Sequence, residues 1–282
     1  MSVNQPNDPD DPALAGWRKL AVLRHAPAAA TATTATTDTV AEEMPLALVY
    51  NGVSHAVMMA TPLELDDFAL GFSLSERIVE HAAEIYDIEL VQTPGALGAE
   101  LRLTIASACF MRLKQRRRSL AGNTGCGLCG LESLGALDLD PAPVGATGPV
   151  ARSALMRAFD GLASRQPLNA LTGAMHAAAW AGLDGAILTV REDVGRHNAL
   201  DKLIGALARA GARPPGFAIM SSRASYELVQ KAARADIGLL ATISAPTTLA
   251  VRMAERAGMC LVGFARRQAC VVYAHPDGLL AI

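Results

Sequence analysis

From residue 177 to the C-terminus, short apolar segments alternate with amphipathic ones, and this alternation constrains the fold more than any other sequence feature. Alternating strands and helices form a layered α/β structure around a mixed sheet. The sequence predicts strands at 177–182, 187–190, 217–221, 239–244, 260–264 and 269–273. It predicts helices at 150–164, 198–210, 226–235 and 247–257.

The N-terminal half has a different pattern, which begins with a β-hairpin at 46–60. Asn51-Gly52 suits a type I′ turn, because both central residues of that turn need positive φ. Thr61-Pro62-Leu63-Glu64 carries the signature of a capping box and predicts a helix to about Val79. Further along we expect strands near 85–91 and 100–106, then a basic helical segment at 109–120.

These patterns predict three segments of the chain. Residues 1–40 are expected to be a disordered, low-complexity N-terminus, with a short strand at 17–24 and a flexible Ala/Thr connector at 26–39. Residues 41–145 are expected to form an α+β domain that includes the CxxC loop, and residues 146–282 a second domain. The boundary is placed in the Pro- and Gly-rich stretch before residue 149.

Composition narrows the class of function. The net charge of −2 gives no reason to expect nucleic acid or an anionic membrane as a partner. No apolar run approaches the roughly 20 residues of a membrane span, so we expect no membrane insertion. The five unevenly spaced cysteines do not suggest a secreted disulfide framework. With no secretory signal apparent, a reducing cytoplasm is the expected compartment.

Two cysteines, Cys126 and Cys129, lie in a glycine-rich stretch at 122–130. Such a stretch predicts a loop, and its thiols could ligate a metal, perform disulfide redox chemistry or carry a group on sulfur. A structural zinc site usually needs four ligands, and the sequence has no second CxxC and no HxxxH. The H-x-E and P-C-x-x-C signatures of zinc deaminases are also absent, so no metal site is expected. A thioredoxin-like redox site would lie at a strand–helix junction of a βαβ unit, which this glycine-rich stretch does not resemble. Nucleophilic or group-carrying sulfur is the use that remains.

Four polar clusters follow predicted strands, where α/β proteins keep their sites. A single Ser- or Thr-rich turn is more often only a helix cap, and a lone histidine such as His176 or His197 is more often structural. Four clusters on one domain nevertheless predict a site for a large phosphorylated ligand, because hydroxyls, Arg side chains and helix N–H groups suit phosphate. The clusters are 191–198 with Asp201 and Lys202, 221–225, 244–248 and 264–268.

With these residues in view, the chain resembles the formate dehydrogenase accessory sulfurtransferase family (FdhD), from about residue 43 to the end. The resemblance depends on the order and number of several motifs rather than on any one of them. They are Glu43-Met44-Pro45-Leu46 with Asn51-Gly52; Met59-Ala60-Thr61-Pro62; Gly71-Phe72 with Ser75-Glu76; Cys126-Gly127-Leu128-Cys129-Gly130; Thr172-Gly173 with His176-Ala177-Ala178; Glu192-Asp193-Val194-Gly195-Arg196-His197-Asn198-Ala199 with Asp201-Lys202; Ser222-Arg223 with Ser225-Tyr226-Glu227; Ser244-Ala245-Pro246-Thr247; and Gly263-Phe264 with Arg266.

The resemblance implies a cytidine-deaminase-like mixed-sheet core in the C-terminal half, a smaller α+β N-terminal domain and a homodimer. It implies a cytoplasmic sulfur carrier, or sulfurtransferase, that accepts persulfide sulfur from a cysteine desulfurase. The implied acceptor is the molybdenum cofactor, bis(molybdopterin guanine dinucleotide), before its insertion into formate dehydrogenase. The first cysteine of the pair, Cys126, is the implied persulfide. Cys129 either resolves that persulfide or only supports Cys126.

The resemblance also implies where the molybdenum cofactor binds. The implied segment comprises Phe264, Ala265, Arg266, Arg267, Gln268 and Ala269. We expect Arg223 and Ser225 to assist with the guanine and diphosphate groups, and Arg196 and His197 to face the pterin or the metal centre. Guanine nucleotides such as GDP are expected to mimic the cofactor there.

Two other functions stay open on the sequence alone. One is a non-catalytic cofactor chaperone whose CxxC pair is structural or binds zinc. The other is a nucleotide hydrolase or deaminase that uses the cluster around His197, although a P-loop lysine and a full set of metal ligands are both absent from the sequence.

Overall fold

Two β-sheets and the helices packed on them organise this protein, which was studied as a computed structural model. The structure describes residues 16–25, 33–92, 97–119, 139–141, 143–145 and 148–281. Cys126 and Cys129 lie outside the described residues, so their predicted roles stay predictions.

A two-stranded antiparallel ribbon precedes the sheets. Its strands are β1 (Trp17–His25) and β2 (Thr33–Ala41), and Trp17 pairs with Ala41 at one end. The strand predicted at 17–24 is confirmed. The flexible connector expected over 26–39 is wrong for residues 33–39, because β-branched threonines at most positions of β2 favour extended backbone.

The N-terminal sheet has four strands in the order β4-β3-β6-β5. The predicted hairpin is confirmed, with Asn51 at φ 45° and Gly52 at φ 79° in its turn. β3 runs parallel to β6, and the other neighbours are antiparallel. The strands are β3 (Met44–Tyr50), β4 (Val53–Ala60), β5 (Ile85–Gln92) and β6 (Ala99–Ile105).

Two helices complete the N-terminal half: α1 (Leu65–Ser75) and α2 (Ser107–Ser119). Apolar side chains of α1 and α2, including Phe68 and Leu113, are buried against the strands in one core. The helix predicted from the capping box is present, but it ends at Ser75 rather than near Val79. The capping box itself is wrong, because Glu64 at φ 48° precedes the helix and no side chain caps it.

The C-terminal half holds a mixed six-stranded sheet in the order β13-β12-β11-β10-β8-β9. β10, β11 and β12 are parallel, while β8, β9 and β13 run antiparallel to their neighbours. Two short strands of two residues each, β7 (Val150–Ala151) and β14 (Leu279–Leu280), pair in parallel outside this sheet. The six strands are β8 (His176–Gly182), β9 (Ile187–Asp193), β10 (Gly216–Met220), β11 (Leu239–Thr242), β12 (Cys260–Arg266) and β13 (Ala269–Ala274).

Helices cover both faces of the six-stranded sheet. The helices of this half are α3 (Arg152–Leu162), α4 (Pro167–Thr172), α5 (Arg196–Arg209), α6 (Tyr226–Arg234) and α7 (Thr248–Ala257), of which α3, α5, α6 and α7 pack on the sheet. α5, α6 and α7 share a core with Ala178 and Trp180 of β8, whereas α3 shares a separate core with Ala177 and Ala179 on the opposite face. Successive side chains of a strand point to opposite faces, which gives a three-layer arrangement.

The two halves meet where α1 packs against α5. A side chain on Gly71 of α1 would collide with the carbonyl of Asp201, and one on Gly205 of α5 would collide with the carbonyl of Asp67. Glycine is therefore required at both positions for the helix backbones to approach so closely. The structure confirms a mixed α/β protein, while the cytidine-deaminase-like description and the boundary near residue 145 stay predictions. Among the described helices, none is long and apolar enough to cross a membrane.

Candidate functional site at the carboxyl edge of the C-terminal sheet

The four predicted polar clusters lie at one edge of the six-stranded sheet. β9, β10, β11 and β12 all end there, and antiparallel β8 begins there. Loops at the carboxyl ends of strands are the usual binding positions in α/β sheets. We call this region the carboxyl edge and define it as His176, residues 194–197, 221–227, 244–247 and 264–268.

Backbone contacts join neighbouring loops of the carboxyl edge. Ala224 forms a parallel β-bridge with Pro246, and Thr247 N donates a hydrogen bond of 3.0 Å to the carbonyl of Ala224. Phe264 N donates to the carbonyl of Ser244 at 3.2 Å. The loops after β10, β11 and β12 therefore form a continuous surface rather than three separate turns.

Much of the cluster at 191–202 is buried scaffold. Asp193 and Lys202 form an ion pair at 2.8 Å, and both side chains are fully buried. Asp193 Oδ1 accepts hydrogen bonds from Gly195 N at 2.8 Å and Asn198 Nδ2 at 3.0 Å. Asp193 Oδ2 accepts one from Thr61 N at 3.0 Å. This carboxylate holds together the end of β9, the start of α5 and the segment before α1.

The other acidic residues of this cluster have similar roles. Glu192 accepts hydrogen bonds from Leu168 N at 3.0 Å and Asn169 N at 2.8 Å, so its carboxylate caps the start of α4. Asp201 is buried and lies 3.0 Å from Lys231 of α6. The density of polar residues reflects this internal network. Its buried members are Glu192, Asp193, Asn198, Asp201 and Lys202.

Arg196 and His197 form the part of the cluster that lies at the carboxyl edge, in the first turn of α5. His197 Nε2 is 2.9 Å from Glu227 Oε2 and 3.4 Å from Ser225 Oγ. The hydrogen bond from His197 lowers the pKa of Glu227, so this carboxylate is charged at neutral pH. The Nε atom of Arg196 is buried and has no hydrogen-bond partner among the described residues.

The loop after β10 places Arg223 and Ser225 beside His197. Arg223 is exposed, whereas Ser225 is buried. Ser225 occupies the N-cap position of α6, yet its side chain makes no capping hydrogen bond. Its hydroxyl lies near His197 instead. Arg223 thus provides an accessible cation at the start of α6, where helix N–H groups favour anions.

The predicted segment from Phe264 to Ala269 divides into two parts. Phe264 has φ 51° within a β-bulge of β12, and the guanidinium carbon of Arg266 lies 5.7 Å from the centre of its ring. Ala265 is fully buried in the core that α3 covers. The Phe264 ring and the Arg266 guanidinium are therefore the neighbouring pair that this part of the segment can offer to a ligand.

The second part of this segment is the turn between β12 and β13, followed by exposed Ala269. Arg267 and Gln268 have φ values of 53° and 62°, which are typical of a type I′ turn. Gln268 Nε2 donates a hydrogen bond of 2.7 Å to Asp160 of α3. The structure thus directs Gln268 toward α3 rather than toward the loop that carries Arg223.

Comparison with known proteins gives the family. Residues 41–280 match the FdhD/NarQ family. The chain belongs to the FdhD/NarQ family. The resemblance inferred from the sequence motifs is confirmed.

Relatives of this FdhD/NarQ chain are similar over most of their length. A protein of Cupriavidus necator is 58% identical over 243 residues, which cover 86% of this chain and 84% of the relative. One of Chromobacterium violaceum is 57% identical over 262 residues, covering 92% and 95%. Both relatives are named sulfur carrier protein FdhD.

A solved structure supports the fold of this FdhD/NarQ chain. It is the crystal structure of a proposed formate dehydrogenase accessory protein from Desulfotalea psychrophila. The two share 22% identity and a TM-score of 0.73, covering 94% of this chain and 99% of that one.

Two polar residues beside His197 were not among the predicted site residues. They are His176 and Glu227, both of which the structure places near His197. Their positions in the sequence could have indicated them. His176 begins a strand that pairs with β9, and Glu227 lies in the first turn of α6. Among the described residues, no group of three or more His, Cys, Asp and Glu side chains is arranged to hold a metal ion.

Proposed function

We propose that this chain is a sulfur carrier protein that serves the maturation of formate dehydrogenase. The observation that carries the proposal is the name of its relatives. Proteins 57% and 58% identical to it, over 92% and 86% of its length, are named sulfur carrier protein FdhD. The CxxC pair at Cys126 and Cys129 supplies the thiols that such a carrier requires.

The proposed loading step takes place on Cys126. Its thiolate attacks the outer sulfur of a cysteine persulfide on the desulfurase, forming Cys126–S–SH and releasing the donor thiolate. One sulfur–sulfur bond forms and one breaks, so loading needs no external oxidant or reductant. In the proposed release, the Cys129 thiolate attacks the inner sulfur, a Cys126–Cys129 disulfide forms and hydrosulfide leaves. A cellular thiol then reduces that disulfide. Cys129 has only a supporting role if Cys126 alone suffices.

The carboxyl edge is the proposed binding place of the acceptor substrate, the molybdenum cofactor as bis(molybdopterin guanine dinucleotide). Two features support it: the accessible cation of Arg223 at the start of α6, and the Phe264 ring with Arg266 nearby. Arg side chains pair with phosphate, and aromatic rings stack with planar bases. Arg196, His197 and Ser225 extend this surface toward β8. GDP is the proposed mimic of one guanine dinucleotide arm.

The proposed sulfur carrier acts between two partner proteins. The proposed donor is a cysteine desulfurase and the proposed recipient of the sulfurated cofactor is formate dehydrogenase. We also propose that the chain forms a homodimer, is cytoplasmic and has a cytidine-deaminase-like core; family membership supports these proposals.

The test is sulfur loading of the full chain. Protein incubated with a cysteine desulfurase and cysteine should gain the mass of one sulfur atom and release thiocyanate with cyanide. Cys126→Ala should lose both signals, whereas Cys109→Ala, which alters a cysteine buried in the N-terminal core, should keep them. Full retention of bound sulfur by Cys126→Ala would refute the assignment. Stoichiometric zinc that both Cys126→Ala and Cys129→Ala abolish would favour a non-catalytic chaperone instead.

A further inference from the structure

His176 lies at the carboxyl edge as the first residue of β8. It has the same parity along the strand as Ala178 and Trp180, so its side chain projects to the sheet face that α5, α6 and α7 cover. The residue is half-buried. None of the hydrogen bonds among the described residues involves its ring.

The backbone around His176 does not need this imidazole. Ala177 N donates to Ser221 Oγ at 2.8 Å, and Ser221 N donates to the carbonyl of Ala177 at 3.0 Å. A histidine with a purely structural role usually hydrogen-bonds a backbone group or a carboxylate, because a buried polar group without a partner costs free energy. The ring nitrogens of His176 are therefore available to a ligand.

The charges around His176 come from the two elements beside it. Burial, Arg196 and His197 all lower the pKa of His176, while Asp193 raises it less strongly. Arg196 and His197 lie on α5 and Asp193 lies at the end of β9. The imidazole is therefore neutral at pH 7, beside the permanent positive charge of Arg196.

We propose that His176 is a further contact residue for the phosphorylated ligand of the carboxyl edge. It hydrogen-bonds the ligand while Arg196 and Arg223 neutralise phosphate charge. His197, held at Nε2 by Glu227, lies beside this contact. This inference rests on the proposed function, since it concerns the acceptor site, but it makes no use of the cysteines.

A titration that follows the His176 ring tests this contact. Histidine ring resonances are recorded by NMR across pH for the full chain, free and with saturating GDP, and His176→Gln identifies the resonance. An anion bound beside the imidazole favours its charged form, so the midpoint of His176 should rise with GDP. His197→Gln should raise the midpoint in the free protein, because it removes a neighbour that lowers the pKa of His176. An unchanged His176 midpoint at saturating GDP would overturn the proposal.

Binding affinity gives a second readout. Titration calorimetry with GDP and with inorganic pyrophosphate compares the wild type with His176→Leu and His176→Gln. The control is His81→Leu, which alters a histidine of the N-terminal half, just before the turn Ala82–Glu84 that leads into β5. Loss of a hydrogen bond to a charged ligand should weaken binding by about tenfold in His176→Leu. His176→Gln should recover part of the loss, and His81→Leu should match the wild type.

The outcomes separate this inference from the sulfur-carrier proposal. If His176→Leu binds GDP and pyrophosphate as tightly as the wild type does, the role of His176 is overturned. The same holds if the wild type binds neither ligand. Neither result would change sulfur loading on Cys126. Conversely, retention of sulfur by Cys126→Ala would refute the carrier assignment and leave the binding measurements intact. Weaker pyrophosphate binding by His176→Leu would place His176 beside phosphate. Weaker GDP binding with unchanged pyrophosphate binding would contradict that contact.

Discussion

Lys202 Nζ lies 2.8 Å from Asp193 Oδ2, and neither side chain reaches solvent. Lys202 Nζ also donates to the carbonyl of Thr61 at 3.0 Å, so the pair joins the two halves of the chain. Replacing Lys202 by Met leaves a buried carboxylate without its cation. Loss of one partner of a buried pair typically costs about 3–5 kcal/mol. Lys202→Met should therefore lower the free energy of unfolding by that amount, measured by urea titration.

An exposed ion pair provides the matched control for Lys202. Arg102 Nε lies 2.8 Å from Glu100 Oε2, and the two side chains are 51% and 45% exposed. Solvent-exposed pairs contribute about 0–1 kcal/mol. Arg102→Gln should therefore change the urea midpoint little. Equal losses in the two variants would show that burial of the Lys202 pair has no energetic consequence.

Gly205, the glycine of α5, should not tolerate a side chain. A methyl group there would collide with the carbonyl of Asp67 on α1. Overpacking of a filled interface typically costs about 1–3 kcal/mol, and backbone atoms yield less readily than side chains. Gly205→Ala should lower the thermal midpoint, followed by circular dichroism.

Gly161 in α3 is the control for this substitution. A Cβ there meets only Ile187 Cδ1, at an ordinary 3.6 Å. Alanine is favoured over glycine within a helix by about 0.5–1 kcal/mol, so Gly161→Ala should raise the midpoint. If both variants are stabilised, α1 and α5 are not in the close contact described.

Local patterns were sufficient to predict most of the fold. The hairpin around Asn51-Gly52 followed from the turn, and the strands and helices after residue 176 followed from their apolar periodicity. The capping box failed because Thr61 forms long-range contacts. Its N–H donates to Asp193, and its hydroxyl accepts from Val194 N at 3.2 Å. Nothing near Thr61 in sequence indicates those partners.

The candidate site shows a second limit of sequence reasoning. A run of charged and amide residues after a strand predicts a ligand site and a buried ion-pair network equally well. Asp193 and Lys202 belong to the network, whereas Arg196 and His197 lie at the carboxyl edge. Burial distinguishes the two groups, and burial depends on residues such as Thr61 from the other half of the chain.

Glu76 should give stability a pH dependence in the acidic range. Burial alone would raise its pKa, but Lys231 at 2.7 Å and nearby Arg234 outweigh burial and lower the pKa below its usual value. A lowered folded-state pKa stabilises the protein above the unfolded pKa of about 4.3, and this stability is lost as pH falls through the folded value. Urea titrations from pH 7 to pH 3 should show that decline.

Glu76→Gln identifies the contribution of this carboxyl group. The variant should be less stable than the wild type at pH 7, and the difference between them should shrink as the pH falls below about 4. Glu89→Gln, which alters an exposed residue of β5, is the control and should parallel the wild type at each pH. A constant difference between Glu76→Gln and the wild type would contradict the ionic role.

The turn at Arg267 and Gln268 offers a test of the predicted binding segment. Both residues have positive φ, which Asn and Gly adopt at lower cost. Arg267→Asn should therefore raise stability slightly, by up to about 1 kcal/mol, because Asn tolerates the left-handed conformation better than Arg. If Arg267 contacts the ligand, GDP affinity should fall despite the higher thermal midpoint. Arg266→Gln serves as the comparison, since it removes the cation beside Phe264 and should weaken GDP binding without a change in turn geometry.

The three cysteines that the structure describes should be poor sulfur acceptors. Burial raises the pKa of Cys109 and of Cys270, and it raises the pKa of Cys260 to about 12. Because the thiolate is the nucleophile, these thiols should be almost unreactive at pH 7. Iodoacetamide should label them slowly in a folded Cys126→Ala/Cys129→Ala variant and quickly in urea, as measured by peptide mass spectrometry.

The same double variant connects thiol reactivity with sulfur loading. Incubation with a desulfurase and cysteine should leave it without bound sulfur, because no remaining thiol is both ionised and accessible. Rapid native labelling of Cys270, which is only partly buried, would contradict the raised pKa. Sulfur on Cys270 or Cys260 would show that the fold protects these thiols too weakly. Absence of sulfur from all three would restrict the carrier chemistry to the pair at Cys126 and Cys129.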